Sequence, residues 1–344
     1  MVAFYVIDRL SPGDRRQPPD DIPSWPYKVQ VFVLFGLQLV NHGLLLYTAS
    51  QLDVSSAEGL TQTLAMLLPT LLLAGVNAGV SGIVVAHELI HRHNIVAFTL
   101  GRVLLGSVFY EHFATDHIRG HHPRVGTLED PVTARFGESH AAFLRRTMLA
   151  QWLSAWRLEN KRLGEPHSPW LSPRILRHRV LQGALGEIAL ACGIVYVCGW
   201  VAFGFFVAQA AAAVLLLETV NYIEHWGLSR SGKKVVSVDS WDTDNWFTLY
   251  ALVGLSRHAD HHAQASRPYQ KLRHFSETAK MPRGYFGTTL LAIVRNRRYR
   301  ELATEELQRK RLGPFRTEDV LTPLTHLHPS SQYAPGEGSD LFFA

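Results

Sequence analysis

Four long apolar runs, at about 29–47, 64–86, 180–198 and 201–222, constrain this chain more than any other feature. Each has roughly 18 residues or more and almost no charge, the length a helix needs to cross the hydrocarbon core of a bilayer. Inside that core every backbone N–H and C=O must be bonded within the protein, so unbroken runs of this kind are expected as helices. The expected fold is an all-α integral-membrane helical bundle with about four clear transmembrane helices plus interfacial helices. Whole-chain averages hide this: 47% hydrophobic and 18% charged over 344 residues are ordinary values, because the charges lie between the runs.

Where those charges lie predicts orientation. The 51–62 loop carries Asp53 and Glu58 but no Lys or Arg, and the 199–200 turn carries no charge. Residues 119–179 and the stretch after Arg230 are rich in Arg and Lys. Basic loops stay on the cytoplasmic side, so both termini and the large middle loop are expected there, in a multi-pass protein of the cytoplasmic membrane if the source is bacterial. The net charge of +5 then needs no nucleic-acid partner. The first 28 residues mix both charge signs with Pro12, Pro18, Pro19, Pro23 and Pro26, unlike a secretory signal. The expected divisions are an N-terminal cytoplasmic arm at 1–27, a membrane domain at 28–300 and a polar C-terminal tail at 301–344, the last opening with a short helix near 301–311. The run 95–110 is apolar but short, and Arg102 interrupts it. One crossing there would put the histidines before and after it on opposite sides, so it is read as interfacial or re-entrant. Runs 144–156 and 246–255 are read as lying along the membrane surface.

The chain contains 18 histidines, many in tight groups, and two cysteines, Cys192 and Cys198, both inside an apolar run. Any metal must therefore be held without a thiolate cluster. His87-Glu88-Leu89-Ile90-His91 ends the second run, and at i and i+4 its two imidazoles share a helical face. His117-Ile118-Arg119-Gly120-His121-His122 is the second group, and His258-Ala259-Asp260-His261-His262 the third. His225 follows the fourth run. An isolated pair of this kind is as often a half-buried surface feature as a ligand pair. Three groups and a single, all just inside one expected membrane face, are a poor product of chance. The nine candidates, His87, His91, His117, His121, His122, His225, His258, His261 and His262, exceed the ligand count of one metal and argue for two. A zinc protease built on His87, Glu88 and His91 would leave the other six idle. A metal transporter would string its ligands along a path rather than crowd them at one face.

HELIHR at 87–92, DHIRGHH at 116–122, NYIEHWGL at 221–228 and LSRHADHH at 255–262 are similar in order and spacing to the four histidine boxes of alkane monooxygenases and xylene-type methyl hydroxylases. These form a branch of the membrane fatty-acid desaturase and hydroxylase superfamily. TLEDPVTARFGES at 127–139 and YQKLRHFSETAKMPRGYFG at 269–287 extend the resemblance, which covers roughly residues 80–300. The resemblance implies two non-haem iron ions held by the nine histidines, O2 as co-substrate, and hydroxylation of the terminal or methyl C–H of a hydrophobic substrate: an alkane, an alkylaromatic or an acyl chain. It also implies electrons from a separate carrier, such as rubredoxin or a ferredoxin with its reductase. The nearest alternative is a fatty-acyl desaturase or oxidative decarboxylase on the same scaffold. Asp116 stands where many relatives have Glu, Trp226 where they often have Tyr, and the alkane enzymes have six spans; these departures bear on substrate rather than on metal.

A ligating imidazole needs a partner on its other nitrogen to fix its tautomer. Glu88, Asp116, Asp130, Glu218, Glu224 and Asp260 are the candidate partners, and no catalytic group beyond the metal centre is assigned. His42 is expected to pack within its span. His93, His112, His140 and His274 lie near the groups, while His167, His178, His326 and His328 are expected to face solvent or the interface. Leu, Val and Phe along the first, second and fourth runs are candidates for lining a substrate channel. Arg267, Lys271 and Arg273 are expected to dock an acidic carrier.

Overall fold

The computed structural model describes residues 2–164, 172–230 and 232–316. Among them there is no β-strand, only isolated bridges such as Gly13 with Asn245. His167, His326, His328 and the tail from residue 317 lie outside the described residues.

A short helix α1 (Val2–Leu10) precedes α2 (Trp25–Ser50), which opens with Pro26 in its first turn. Proline there loses only an N–H that had no helical partner. The next helix, α3 (Ala57–Ile90), starts at Ser56, whose hydroxyl accepts the Gly59 N–H at 3.0 Å. Past Pro69 its ladder widens into two π-helical stretches, Leu71–Gly75 and Ala78–Ile83. α4 (Ile95–Gly106) is capped by the Asn94 side chain. The 113–124 segment, α5, carries a third π turn at His117–His121. α6 (His140–Arg162) and α7 (Arg179–His225) follow, then α8 (Trp246–Ala251), α9 (His258–Ala263), α10 (Gly284–Val294) and α11 (Asn296–Lys310).

Three helices, α2, α3 and α7, are long and apolar enough to cross a membrane. Their outward surfaces are apolar: Leu68 is 64% exposed, Leu73 74% and Tyr196 91%. A bundle in water would have turned such side chains inward; lipid removes that demand.

α7 does not run straight. As one rod, Glu187 and Glu218 would sit about 46 Å apart. Yet Glu187 accepts the Glu111 N–H at 2.8 Å, and Glu218 accepts the hydroxyl of the adjacent Tyr110 at 2.9 Å. The chain doubles back at Gly199, whose φ of 82° and ψ of 173° break the helix into arms 179–198 and 200–225. That backbone region is essentially open to glycine alone. The second arm packs closely on α3, where a Cβ at Gly79 would meet Leu216 Cδ1 at 3.1 Å.

The second arm also serves as a ruler for α4. Gln209 donates to the Ser107 carbonyl at 3.3 Å, roughly 24 Å along the arm from His225. Tyr110 is already back at Glu218, and His117 lies beside His91 and His87. The 95–110 segment therefore leaves the histidine level and returns to it. α1 folds onto α10, with Phe4 and Phe286 ring centroids 5.2 Å apart and the Asp8 carboxylate accepting the Phe286 N–H at 3.1 Å. Helix α11 is longer at its start than the expected 301–311, because Asn296 reaches back to the Ala292 carbonyl and the Tyr222 hydroxyl.

Candidate metal centre

The end of α3 brings His87 and His91 onto one face, their ring centroids 5.0 Å apart. In an α-helix His117 and His121 would share a face and His122 would be turned away. The π turn changes that: the His122 N–H bonds the His117 carbonyl, one residue further than an α turn allows. His117 and His122 thus meet, Nε2 to Nε2 at 3.1 Å, while His121 points elsewhere. The 117–122 box is split between two groups of rings.

One group is His87, His91, His117, His122 and His261; the other is His121, His225, His258 and His262. Within each, the candidate ligand atoms all lie within 4.8 Å of one another. All nine histidines singled out by spacing are brought together. The groups adjoin, with the His122 and His262 rings stacked at 4.4 Å. His91 and His117 approach Nε2 to Nε2 at 3.1 Å, as do His122 and His261, and His225 and His258 do so at 3.3 Å. Two nitrogens bound at right angles to one ion at about 2.1 Å would stand about 3.0 Å apart, so this spacing fits shared coordination. The buried Nε2 atoms of His87, His121 and His262 have no hydrogen-bond partner. Buried imidazole nitrogens are rarely left so unless something else engages them. Imidazole donors suit iron as well as other first-row metals, and the two groups of residues fit a pair of ions.

Two of the six candidate carboxylates touch a histidine. Asp130 Oδ2 lies 2.8 Å from His121 Nδ1 and also accepts the Thr133 hydroxyl at 2.7 Å, while Oδ1 accepts the Val132 N–H at 3.1 Å. Burial alone would raise this carboxyl; the His121 ring and the Thr133 hydroxyl outweigh it and hold it below its ordinary value. An ionised Asp130 accepts a hydrogen bond from His121 Nδ1–H, which leaves the Nε2 lone pair facing the group. Glu224 Oε2 stands 3.2 Å from His258 Nε2, on the converging side of the ring, and Oε1 accepts the Tyr285 hydroxyl at 2.7 Å.

The other four carboxylates have different partners. Glu88 pairs with Arg92, and Glu218 accepts from Tyr110 and Gln151. Asp260 takes both Arg267 contacts, at 2.6 and 2.7 Å, and the Arg273 N–H. Asp116 lies 3.5 Å from Arg124, and burial pushes its carboxyl up to about 7. Tyr285 was not singled out from sequence, although it sits in the 269–287 segment that carried part of the resemblance.

Other histidines sort by partner. His42 is buried within the bundle, bonded to Gln38 at 3.0 Å and edge-on to Phe206. His140 meets the Thr219 hydroxyl, His274 meets Asp244, and His112 packs against Tyr110; His93 is exposed. His178 corrects an expectation: it is fully buried, bonded to Asn160 at 3.1 Å, and caps α7 by accepting the Leu181 N–H. A helix start buried between two elements needs such an acceptor, and solvent cannot supply it.

A small cavity of about 50 Å³ is lined almost wholly by apolar groups, among them Gly79, Val84, Leu216, Val220, Leu255 and Phe286, with Tyr285 also on its wall. Val84 is one turn before His87, Leu255 is one turn before His258, and Tyr285 on the wall bonds Glu224 beside His258, so the cavity wall adjoins both groups.

Residues 62–289 match the fatty acid desaturase family. Alkane 1-monooxygenase 1 of Pseudomonas aeruginosa is 41% identical over 233 residues, 65% of this chain and 59% of the relative. Alkane 1-monooxygenase of Acinetobacter baylyi is 33% identical over 341 residues, 93% of this chain and 80% of the relative. The xylene/toluene monooxygenase hydroxylase component of Pseudomonas putida is 26% identical over 303 residues, covering 85% and 76%. The chain spans about three fifths of the length of the two Pseudomonas aeruginosa relatives it matches, 59% and 60%.

Proposed function

The chain belongs to the fatty acid desaturase family, and from that premise we propose that it is a membrane monooxygenase that hydroxylates the terminal or methyl C–H of a hydrophobic substrate. In this reading the nine histidines hold two non-haem irons, and a separate carrier supplies two electrons. The observation that carries it is the division of the histidines into adjoining groups of five and four, with an apolar cavity whose wall adjoins them through Val84, Leu255 and Tyr285. The irons, when bound, supply the reduction of O2: one oxygen enters the C–OH product and the other leaves as water, with two electrons and two protons taken up.

The chain's own residues do the rest. Leu216, Val220, Leu255 and Phe286 hold an alkyl chain by dispersion and burial alone and exclude water from the reacting end. Asp130 fixes the His121 tautomer. The Tyr285 hydroxyl reaches from the cavity wall to Glu224 Oε1, so a proton can be held between these two oxygens beside His258. A substrate soluble in lipid enters from the bilayer, which the apolar outer surfaces of α2, α3 and α7 adjoin. In this reading there are four crossings, two of them the arms of α7, and with a re-entrant 95–110 segment the histidine level lies on one side. The Arg- and Lys-rich segments support a cytoplasmic position for that side.

The test is iron content of the purified protein together with product analysis in cells fed alkanes, alkylaromatics and fatty acids. About two irons and a terminal or benzylic alcohol support the reading. One zinc and no O2-dependent product overturn it. An alkene as the main product transfers the chain to the second reading, desaturation or oxidative decarboxylation of an acyl chain, which the family match alone favours.

A further inference from the structure

Electrons have to reach the buried histidines from outside, and the 125–135 loop offers a short route through main chain and one hydrogen bond. We propose that the concave surface between the 125–135 loop and α6 docks a small acidic one-electron carrier protein, with Asp130 linking that surface to His121. This rests on the reading of the site as an oxygenase that takes up two electrons, delivered one per encounter while each carrier molecule is oxidised by one electron.

The concavity encloses about 370 Å³ and is lined by Arg124, Leu128, Arg135, Arg157 and Lys161, with Glu129 as its one acid. Arg135, Arg157 and Lys161 are exposed; Arg135 lies near the Glu138 carboxylate, which Arg146 already pairs, and among the described residues no ion pair is made by Arg157 or Lys161. Within this basic surface Leu128 is 86% exposed, the most exposed leucine of the described chain. A bare leucine ringed by cations suits a partner with an apolar contact around its redox centre and acids at its rim. Leu128 is two residues from Asp130, so at most about 7 Å of main chain separates their Cα atoms. From there the Asp130 carboxylate reaches His121 Nδ1 at 2.8 Å.

The rival basic surfaces lack one element or another. Arg267 is held bidentate by Asp260, Lys271 donates to the Asp20 carbonyl at 3.0 Å, and Arg273 lies 3.6 Å from the Asp20 carboxylate. In that patch, expected from sequence to receive the carrier, Arg267 and Arg273 face acids of this chain, and Lys271 is tethered to a backbone carbonyl. The arginines at 162, 174, 177 and 179 line a cavity of their own, but Glu159, the acid that Arg162 and the Arg179 N–H contact, touches no histidine of either group. On α6 itself the exposed apolar residues Met148, Leu149, Trp152 and Leu153 form a stripe at helical spacing. Seating that stripe in lipid leaves the concavity, on another face of the same helix, open to water.

The experiment uses the full-length protein in nanodiscs of zwitterionic lipid and an acidic rubredoxin as the probe, its binding followed by fluorescence anisotropy at low and high salt. The double reversal Arg135→Glu with Lys161→Glu is expected to weaken binding about tenfold and flatten its salt dependence, and Leu128→Asp to weaken it at every ionic strength. Iron content and unfolding temperature are read for each variant, and Arg135→Gln with Lys161→Gln provides a milder substitution should the reversal fail to fold. The paired reversal Lys271→Glu with Arg273→Glu is expected to leave binding within about twofold of wild type. Unchanged binding in the groove variants, or a loss confined to the 271 and 273 variant, overturns the proposal. So does a groove variant that loses only its attachment to vesicles containing phosphatidylglycerol, which would make the concavity a headgroup surface. Product formation by the wild-type protein with a chemical reductant is measured separately; its failure counts against the oxygenase reading and leaves the binding result to decide the docking surface.

Discussion

Replacing Asp130 by asparagine keeps the side chain's volume and removes its charge, at a position only 2% exposed. The carboxylate takes three hydrogen bonds: from His121 Nδ1 and the Thr133 hydroxyl on one oxygen, and from the Val132 N–H on the other. An asparagine has one oxygen for these two directions. Whichever way the amide turns, its NH2 faces at least one donor, which costs about 1–3 kcal/mol for the group left unpaired. If the amide oxygen turns to Val132, His121 loses the acceptor that fixed its proton on Nδ1, and the Nε2 lone pair is no longer guaranteed to face the four-histidine group. Partners of this kind are worth about 10- to 100-fold in metal affinity, or about 1.4 to 2.7 kcal/mol. Because His121 belongs to only one group, the loss should be selective. Iron per chain, measured after graded chelator challenge, is expected to fall from about two towards about one before the second ion is affected. Thr133→Ala, which leaves the carboxylate in place, is the control and should retain both ions through the same challenge. If D130N releases both ions together, or keeps both as long as wild type, the assignment of Asp130 to His121 as its orienting group is wrong.

Gly199→Ala places a Cβ at φ 82° and ψ 173°, a region costing about 1–3 kcal/mol for any other residue, and should lower the unfolding temperature in detergent; an unchanged temperature would show that the turn relaxes without cost. Gly79→Val pushes on Leu216 and narrows the cavity that adjoins the histidine groups, so iron content should hold while the longest accepted substrates are lost; an unaltered substrate range would remove this cavity from the binding path. Burial pushes the Asp8 carboxyl up to about 6, from an ordinary value near 3.8. The docked arm therefore holds the proton more tightly than the free one, and docking is favoured below pH 4 and weakens as pH rises through 6. Hydrogen exchange in α1 should accelerate over that interval, and in Asp8→Asn the dependence should vanish.

What was legible in the sequence follows from which distances a chain sets locally. The i, i+4 spacing of His87 and His91, and the i, i+3, i+4 pattern from His258 to His262, fix common faces before any tertiary contact forms. The apolar runs fix length and helicity in the same way, and the uncharged glycine at 199 marked the turn between the arms of α7. Partner choice was not local. Asp116 is next to His117 in sequence yet faces Arg124, whereas Asp130, nine residues from His121, makes the bond. Asp260 sits inside the last box but is taken by Arg267. A charge run shows that cations are present without showing which of them are already matched. His178 was expected to face solvent or the interface, and only the packing of α6 against α7 turns it into a buried cap.

The two π stretches in α3 separate two problems that a uniform helix would tie together. In a regular helix the face presented near residue 60 dictates, at 100° per residue, the azimuth at which residues 87 and 91 emerge. The lipid-facing stripe and the metal-facing box would then have to keep a common phase over the whole span. A π turn takes an extra residue into its ring and resets that phase. The outer half of α3 can thus change its lipid stripe without swinging the histidines. The converse is a narrow tolerance within 71–83, where gaining or losing a single residue turns His87 and His91 by about 100°, away from the other seven rings and toward the neighbouring helix or the lipid.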